Sequence, residues 1–196
     1  MDIWKYDFSD SSILLAVEGS CGGTSLGIQM ARQAIIEGNR VLWAAPELPD
    51  STRFSQIFSD VDLSASSRFH AMNLVGNFDQ AIDTIIHTAN TLPGVSLVIL
   101  DDFSPNSGRV PKDVTSGVNK LIKSSNWTTL LITKGGVSMG EESLTARGKS
   151  EIKPDEVWLL TRPDSGSKRT LSVSNQKVNL VLKEEGFFQY LLLFTK

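Results

Sequence analysis

The stretch from residue 12 to residue 31 constrains this chain most, because it joins an apolar run, a glycine-rich turn and the start of an amphipathic helix. Residues 13–17 are continuously apolar, which is typical of a parallel strand buried on both faces. Gly19, Gly22 and Gly23 then allow backbone conformations that other residues avoid. Free N–H groups and the dipole of the following helix favour an anion at such a turn. The stretch therefore predicts a phosphate cradle.

The cradle lacks one residue of the phosphate loop of nucleoside triphosphatases. That loop has the pattern GxxxxGKS or GxxxxGKT, in which the lysine reaches the β- and γ-phosphates and the hydroxyl binds Mg²⁺. In one register Val17 replaces the first glycine, Gly22 is the second, Gly23 stands at the lysine and Thr24 at the hydroxyl. In the other, Gly23 is the second glycine, Thr24 stands at the lysine and Ser25 at the hydroxyl. Neither register supplies a lysine.

Length and composition indicate one ordinary domain that is expected to be cytoplasmic. The chain has 196 residues, of which 40% are hydrophobic and 21% charged, as in soluble globular proteins. A net charge of −3 gives no general case for binding nucleic acid. The single cysteine, Cys21, cannot form an internal disulfide, which suits a reducing compartment. We expect no membrane partner, because no apolar stretch is long enough to span a bilayer.

The order of the predicted elements gives an α/β fold. Strands alternate with helices between residues 12 and 133, which predicts a mostly parallel sheet with helices on both faces. Four short strands separated by turns follow, which predicts a C-terminal extension of antiparallel hairpins. We therefore expect a single domain, residues 1–196, with a core at 12–133, a mobile loop at 134–155 and hairpins at 156–196.

Polar residues follow several predicted strands of the core. Asp101 ends the apolar run VSLVIL, as the carboxylate that holds Mg²⁺ does in nucleoside triphosphatases. Glu47 follows the strand RVLWAA, where a carboxylate would orient an attacking water. Thr133 and Lys134 close the strand TTLLIT, where they would sense a γ-phosphate or bring a cation. Ligands bind at the carboxyl edge of open parallel sheets, so we expect these residues to converge on the glycine loop.

The motifs, taken together, resemble the RecA superfamily in its archaeal RadA, RadB and KaiC-like branch. ILLAVEGSCGGTSLGIQMA, RVLWAAPE, LVILDD and LLITKGG occur in that family's order and spacing, over about residues 12–194. The resemblance implies ATP and Mg²⁺ as cofactors and Glu47 as the catalytic base, with Thr24 and Asp101 at the metal. It also implies a homo-oligomer or a RecA-family partner protein. The implied nucleotide-binding residues are Gly19, Ser20, Gly22, Gly23, Thr24 and Ser25.

The loop after residue 133 corresponds to the region where recombinases of this family contact DNA. Its basic residues would bind single-stranded DNA or a partner, and Arg147 or Lys149 would alternatively reach a neighbouring subunit's nucleotide. The acidic residues of the same loop dilute its attraction for phosphates, so a solvated loop is the competing interpretation. The candidate DNA or partner residues are Lys134, Arg147, Lys149 and Lys153.

Loss of the loop lysine decides the functional interpretation. It removes a positive charge from the γ-phosphate, and Glu18 would place a carboxylate beside a polyphosphate, so ATP affinity and hydrolysis should both fall. We expect a RecA/RadA-like paralogue with a decayed nucleotide site, acting as a non-catalytic accessory or regulatory protein in DNA repair or recombination. One alternative is an active ATPase whose lysine comes from Lys134 or a neighbouring subunit. Another is a KaiC-like signalling or scaffold module without DNA binding.

Overall fold

A ten-stranded sheet runs through the molecule in the order β1-β12-β11-β10-β9-β2-β6-β5-β3-β4. The computed structural model describes residues 1–137, 144–174 and 176–190. The strands of this sheet are β1 Asp2–Ile3, β2 Ser12–Val17, β3 Arg40–Ala45, β4 Phe69–Asn73, β5 Val95–Asp101, β6 Thr128–Lys134, β9 Glu156–Thr161, β10 Lys168–Val173, β11 Gln176–Lys183 and β12 Gly186–Gln189. A separate pair consists of β7 Gly136–Val137 and β8 Leu144–Thr145. The helices are α1 Gly23–Ile36, α2 Ser51–Ile57, α3 Leu63–Ser66, α4 Phe78–Thr91 and α5 Lys112–Ser124.

The sheet changes from parallel to antiparallel at β9. Strands β4, β3, β5, β6, β2 and β9 pair in parallel. Strands β10, β11, β12 and β1 continue the sheet in antiparallel pairs. The prediction of a parallel core with an antiparallel C-terminal extension is therefore confirmed. The predicted last strand at 189–194 falls largely outside the described residues, as does 138–143 of the predicted mobile loop.

Helices cover both faces of the sheet, and each face has its own apolar core. Successive residues of β2 point to opposite faces, so Leu15 belongs to one core and Leu14 to the other. On the first face, α1 packs against the parallel strands and on Trp43 and Trp158. On the second face, α4 and α5 pack around residues such as Val118. Burial on both faces is why these strands read as continuous apolar runs.

The antiparallel extension is fastened to α1 by one buried amide. Gln29 Nε2 donates to the carbonyl oxygens of Trp4 at 2.6 Å and Phe187 at 3.1 Å. Gln29 Oε1 accepts from the N–H of Phe187 at 2.5 Å. These bonds tie the N-terminal segment and β12 to the helix that begins at the glycine loop. The glycine loop is therefore held between the parallel core and the extension.

Within the described ranges, none of the helices combines the length and apolarity that crossing a membrane requires.

Candidate functional site

A cavity of about 440 Å³ opens at the carboxyl ends of the parallel strands. The glycine loop, the loop after β3 and the ends of β5 and β6 surround it, so the expected convergence of these segments is observed. Its wall includes the sequence-predicted residues Gly19, Ser20, Gly22, Gly23, Thr24, Ser25, Glu47, Asp101, Thr133 and Lys134. Its other lining residues are Val17, Ile28, Leu48, Pro49, Asp50, Arg53, Asp102 and Ile132.

The glycine loop presents free N–H groups to this cavity. Gly22 precedes α1 with a φ of 100°, in the left-handed region that favours glycine. The first helical hydrogen bond runs from Leu26 N to Gly22 O at 3.0 Å. Among the described residues, the N–H groups of Gly23, Thr24 and Ser25 have no acceptor. The loop therefore has the donors of an anion cradle.

The loop has no room for a side chain at Gly23. A β-carbon at this position would lie 2.5 Å from Val17 Cγ2 and 3.1 Å from Ile132 Cγ2, the first of these closer than real side chains approach. Val17 thus fills the space through which a lysine at position 23 would leave the backbone. In the first register, Val17 and Gly23 stand at the first-glycine and lysine positions, and these two positions pack against each other.

Thr24 and Asp101 contact each other at the floor of the cavity. Thr24 Oγ1 donates to Asp101 Oδ2 at 2.9 Å. Burial raises the pKa of Asp101 to about 6; the hydrogen bond from Thr24 opposes this rise, and the neighbouring Asp102 carboxylate adds to it. Asp101 is therefore mostly ionised at pH 7 and mostly protonated at pH 5. A threonine hydroxyl and an ionised carboxylate are oxygen ligands of the kind Mg²⁺ prefers.

The other two predicted side chains are exposed in the cavity wall. The side chains of Glu47 and Lys134 make no hydrogen bond or ion pair with any residue in the described part of the chain. Thr133 differs, because it is buried and its hydroxyl lies 2.5 Å from Ser104 Oγ. The hydroxyl of Thr133 is thus already engaged, which weakens the expectation that it senses a phosphate.

Glu18 contacts the segment after β9, and the expected repulsion of a polyphosphate by its carboxylate stays a prediction. The Glu18 carboxylate accepts a hydrogen bond from the backbone N–H of Arg162 at 2.7 Å and does not line the cavity. The Arg162 side chain donates in turn to Ser20 O at 3.0 Å. Arg169, which is 5% exposed, donates from Nε to Cys21 O at 2.8 Å. Arginines after β9 and in β10 thus hold the carbonyl side of the glycine loop.

Arg53 is a cavity residue that the sequence analysis missed. It lies in α2, whose N-cap Asp50 accepts a hydrogen bond from Arg53 N at 2.8 Å. Its Nε donates to Ser25 Oγ at 2.9 Å, and its Nη1 donates to Gln56 Oε1 at 3.2 Å and Glu184 O at 2.8 Å. Its place in the sequence could have indicated that it lines the cavity, because it lies six residues after Glu47 on the helix that follows the same loop.

The basic residues of the predicted DNA or partner loop do not line one cavity. Lys134 borders the cavity described above, whereas Arg147 and Lys149 border a second cavity of about 550 Å³. The Arg147 guanidinium donates to the carbonyl oxygens of Pro105 and Gly108. Lys153 lines neither cavity. Their predicted role in binding DNA or a partner stays a prediction.

The described residues contain no cluster of three or more His, Cys, Asp or Glu side chains placed to hold a metal ion. A magnesium ion at Thr24 and Asp101 would therefore need oxygen ligands from a bound phosphate or from water.

Comparison with known proteins identifies the fold of this chain. Neither a protein-family model nor a curated protein sequence matches the chain. Among solved structures it is similar to a crystal structure of the RadB recombinase, with a TM-score of 0.71 and 15% sequence identity. The similarity covers 92% of this chain and 90% of the other. At this identity the likeness concerns architecture, and it confirms the fold expected from the motifs: the chain has a RecA-like fold.

Proposed function

We propose that this chain is a RecA/RadA-like paralogue that keeps the form of a nucleotide site without its hydrolytic chemistry, and that it acts as an accessory or regulatory protein. The packing of Val17 against Gly23 carries the proposal. A β-carbon at position 23 would lie 2.5 Å from Val17 Cγ2, so a lysine at this position would require Val17 to move. This packing supports the proposal that the site works without a loop lysine.

Other parts of the site keep the form that nucleotide binding requires. The hydrogen bond from Thr24 to Asp101 supports the register in which Gly22 is the second glycine and Thr24 bears the hydroxyl. ATP and Mg²⁺, where bound, would meet the free N–H groups at the start of α1 and the oxygens of Thr24 and Asp101. Magnesium would there neutralise phosphate charge.

Hydrolysis needs more than this cradle. In phosphoryl transfer, catalysis consists mainly of positioning and of stabilising the charge that develops on the transferred group. Glu47 lies in the wall as a candidate base to orient water, but no residue of the loop itself brings a positive charge. We therefore infer that Glu47 is a remnant of a catalytic base.

The biological context of the proposal is DNA repair or recombination, by analogy of fold with the RadB recombinase. The partner would be a second copy of this chain or a RecA-family protein, and single-stranded DNA is the candidate nucleic acid. A salt-dependent mobility shift of single-stranded DNA would support this context. Its absence would favour the KaiC-like signalling or scaffold alternative.

A phosphate-release assay with MgATP tests the loss of catalysis. We expect no steady release above the rate without protein, for the natural chain and for Glu47→Gln alike. Glu37→Gln is the matched control, because Glu37 is an exposed carboxylate at the far end of α1. Steady release that Glu47→Gln abolishes and Glu37→Gln leaves intact would contradict the proposal.

The exposed position of Lys134 favours one second candidate, an active ATPase whose cation comes from this lysine or from a neighbouring subunit. Lys134 lines the cavity, and its side chain makes no ion pair among the described residues. This candidate predicts that Lys134→Ala abolishes both MgATP binding and phosphate release. An unchanged affinity in Lys134→Ala would remove the version that relies on this lysine.

A further inference from the structure

Arg53 places a positive charge beside the N-terminus of α1. Its Nε donates to the hydroxyl of Ser25, the third residue of that helix, at 2.9 Å. The N–H groups of this helical turn are free among the described residues. A helix N-terminus itself carries a partial positive charge. Two positive groups thus adjoin one cavity.

The guanidinium of Arg53 has no negative partner within the described residues. Its acceptors are a hydroxyl, an amide oxygen and a backbone carbonyl, all neutral. It forms no ion pair there, and its Nη2 is buried without a hydrogen-bond partner. Burial lowers the pKa of Arg53, while the carboxylates of Glu184 and Glu185 oppose that shift. Glu184 and Glu185 act on this partly buried cation without forming an ion pair to it, so an anion in the cavity would add a direct counter-charge.

We propose that Arg53 supplies, from outside the glycine loop, the positive charge that binds a phosphate-bearing ligand in this cavity. The proposal rests on the proposed function in one respect, namely that the cradle keeps its form. The ligand is a diphosphate, free or in a nucleoside diphosphate, whose oxygens accept from the free N–H groups of Gly23 and Thr24. An arginine suits this role because its guanidinium stays positively charged, although its Nε and Nη1 already donate to Ser25, Gln56 and Glu184. Lys134, exposed in the same wall, adds a second charge.

Arg53 also has a structural role, which the test must separate from binding. Its bond to Glu184 O joins α2 to the turn between β11 and β12. A purely structural arginine would change thermal stability when replaced, but would not change the affinity of a folded protein for a diphosphate. Arg53→Lys keeps the charge and Arg53→Gln removes it. Arg109→Gln is the matched control, because Arg109 lies outside this cavity and its side chain is 74% exposed.

The experiment is calorimetric titration of the full chain with inorganic pyrophosphate, and then with MgADP. We expect Arg53→Gln to weaken pyrophosphate binding by about tenfold or more, which corresponds to about 1.4 kcal/mol. Arg53→Lys should retain most of the affinity, and Arg109→Gln all of it. Binding of MgADP with the same dependence on Arg53 would identify a nucleotide, and binding of pyrophosphate alone would identify a free diphosphate.

Two results would overturn the proposal: no binding of pyrophosphate or MgADP to the natural chain, or equal affinities for Arg53→Gln and Arg109→Gln. Where Arg53→Gln does not fold, the Nε–Hε NMR signal of Arg53 in the natural chain decides instead. This signal should shift during titration with pyrophosphate. If it stays fixed while other signals shift, the proposed role of Arg53 in binding is refuted. Steady ATP hydrolysis would refute the proposed function alone, whereas absent diphosphate binding would refute only this inference.

Discussion

Replacing Gly23 by alanine tests whether Val17 excludes a side chain from the lysine position. The new β-carbon would lie 2.5 Å from Val17 Cγ2, an overlap that forces a shift in the buried floor of the cavity. Overpacking of this kind destabilises a protein by about 1–3 kcal/mol. The better helix propensity of alanine offsets at most about 1 kcal/mol of that loss. We therefore expect Gly23→Ala to lower the free energy of unfolding.

Val17→Ala should relieve the overlap. It removes two methyl groups from a residue that is 5% exposed. At about 0.8 kcal/mol per methylene-sized group, the loss is about 1.6 kcal/mol before any cavity contribution. The Val17 β-carbon that remains would lie 3.4 Å from a new β-carbon at position 23, which is ordinary contact. The double variant should therefore be more stable than the sum of the single losses predicts, by about 1–2 kcal/mol.

Urea unfolding of the natural chain, both single variants and the double variant measures this coupling. The control pair is Gly23→Ala with Val98→Ala, since Val98 belongs to the core on the opposite face of the sheet. That pair should be additive within about 0.5 kcal/mol. The packing explanation would be refuted if the losses in free energy of unfolding caused by Val17→Ala and Gly23→Ala added up in the double variant to within about 0.5 kcal/mol, at equal m-values.

The contact between Val17 and position 23 should also affect ligand binding. Val17→Ala combined with Gly23→Lys should bind MgATP about tenfold more tightly than Gly23→Lys alone, because only the double variant gives the lysine room to leave the backbone. Calorimetric titration of both proteins checks this. Equal affinities would mean that Val17 does not control access to the lysine position.

Three further changes test other parts of the structure. Asp101→Asn should raise stability above pH 6 by up to about 3 kcal/mol, because the folded-state pKa of Asp101 lies near 6, above the ordinary 3.8. Since the folded state then binds the proton more tightly than the unfolded state, stability falls as pH rises from about 4 to 6; urea unfolding should show that Asp101→Asn lacks this decrease. Gln29→Leu should cost about 3 kcal/mol in urea unfolding, because the N–H of Phe187 and the carbonyl of Trp4 lose the hydrogen bonds that Gln29 makes to them. Gly27→Ala should lower the melting temperature, because its β-carbon would lie 3.0 Å from a ring carbon of Trp43.

The parallel core could be predicted from the sequence because burial on both faces leaves a plain signal. Once the strands are parallel, their carboxyl ends share one edge, so Glu47, Asp101 and Lys134 had to approach the glycine loop. This rule does not predict where a side chain points. The expectation that Glu18 lies near a phosphate came from its place next to Val17 in the sequence, and the structure adds that its carboxylate accepts from the backbone N–H of Arg162.

The features that sequence reasoning missed depend on contacts between distant segments. Arg53 reaches the glycine loop because α2 is tied to Glu184, 131 residues further along the chain. The hydroxyl of Thr133 is engaged by Ser104, from the loop after β5. The exclusion of a side chain at Gly23 depends on the Val17 rotamer. No local pattern encodes such tertiary distances.

The contacts of the glycine loop also explain how it keeps its form without a lysine. A phosphate loop uses its N–H groups for the ligand, and in this chain those groups remain free among the described residues. The carbonyl groups on the other side of the loop are held by the protein itself, Ser20 O by Arg162 and Cys21 O by Arg169. Arg169 is almost fully buried, so its hydrogen bond to Cys21 O is protected from water and salt. The segment after β9 and strand β10 therefore hold the glycine loop from its carbonyl side, while its N–H side stays open to the cavity.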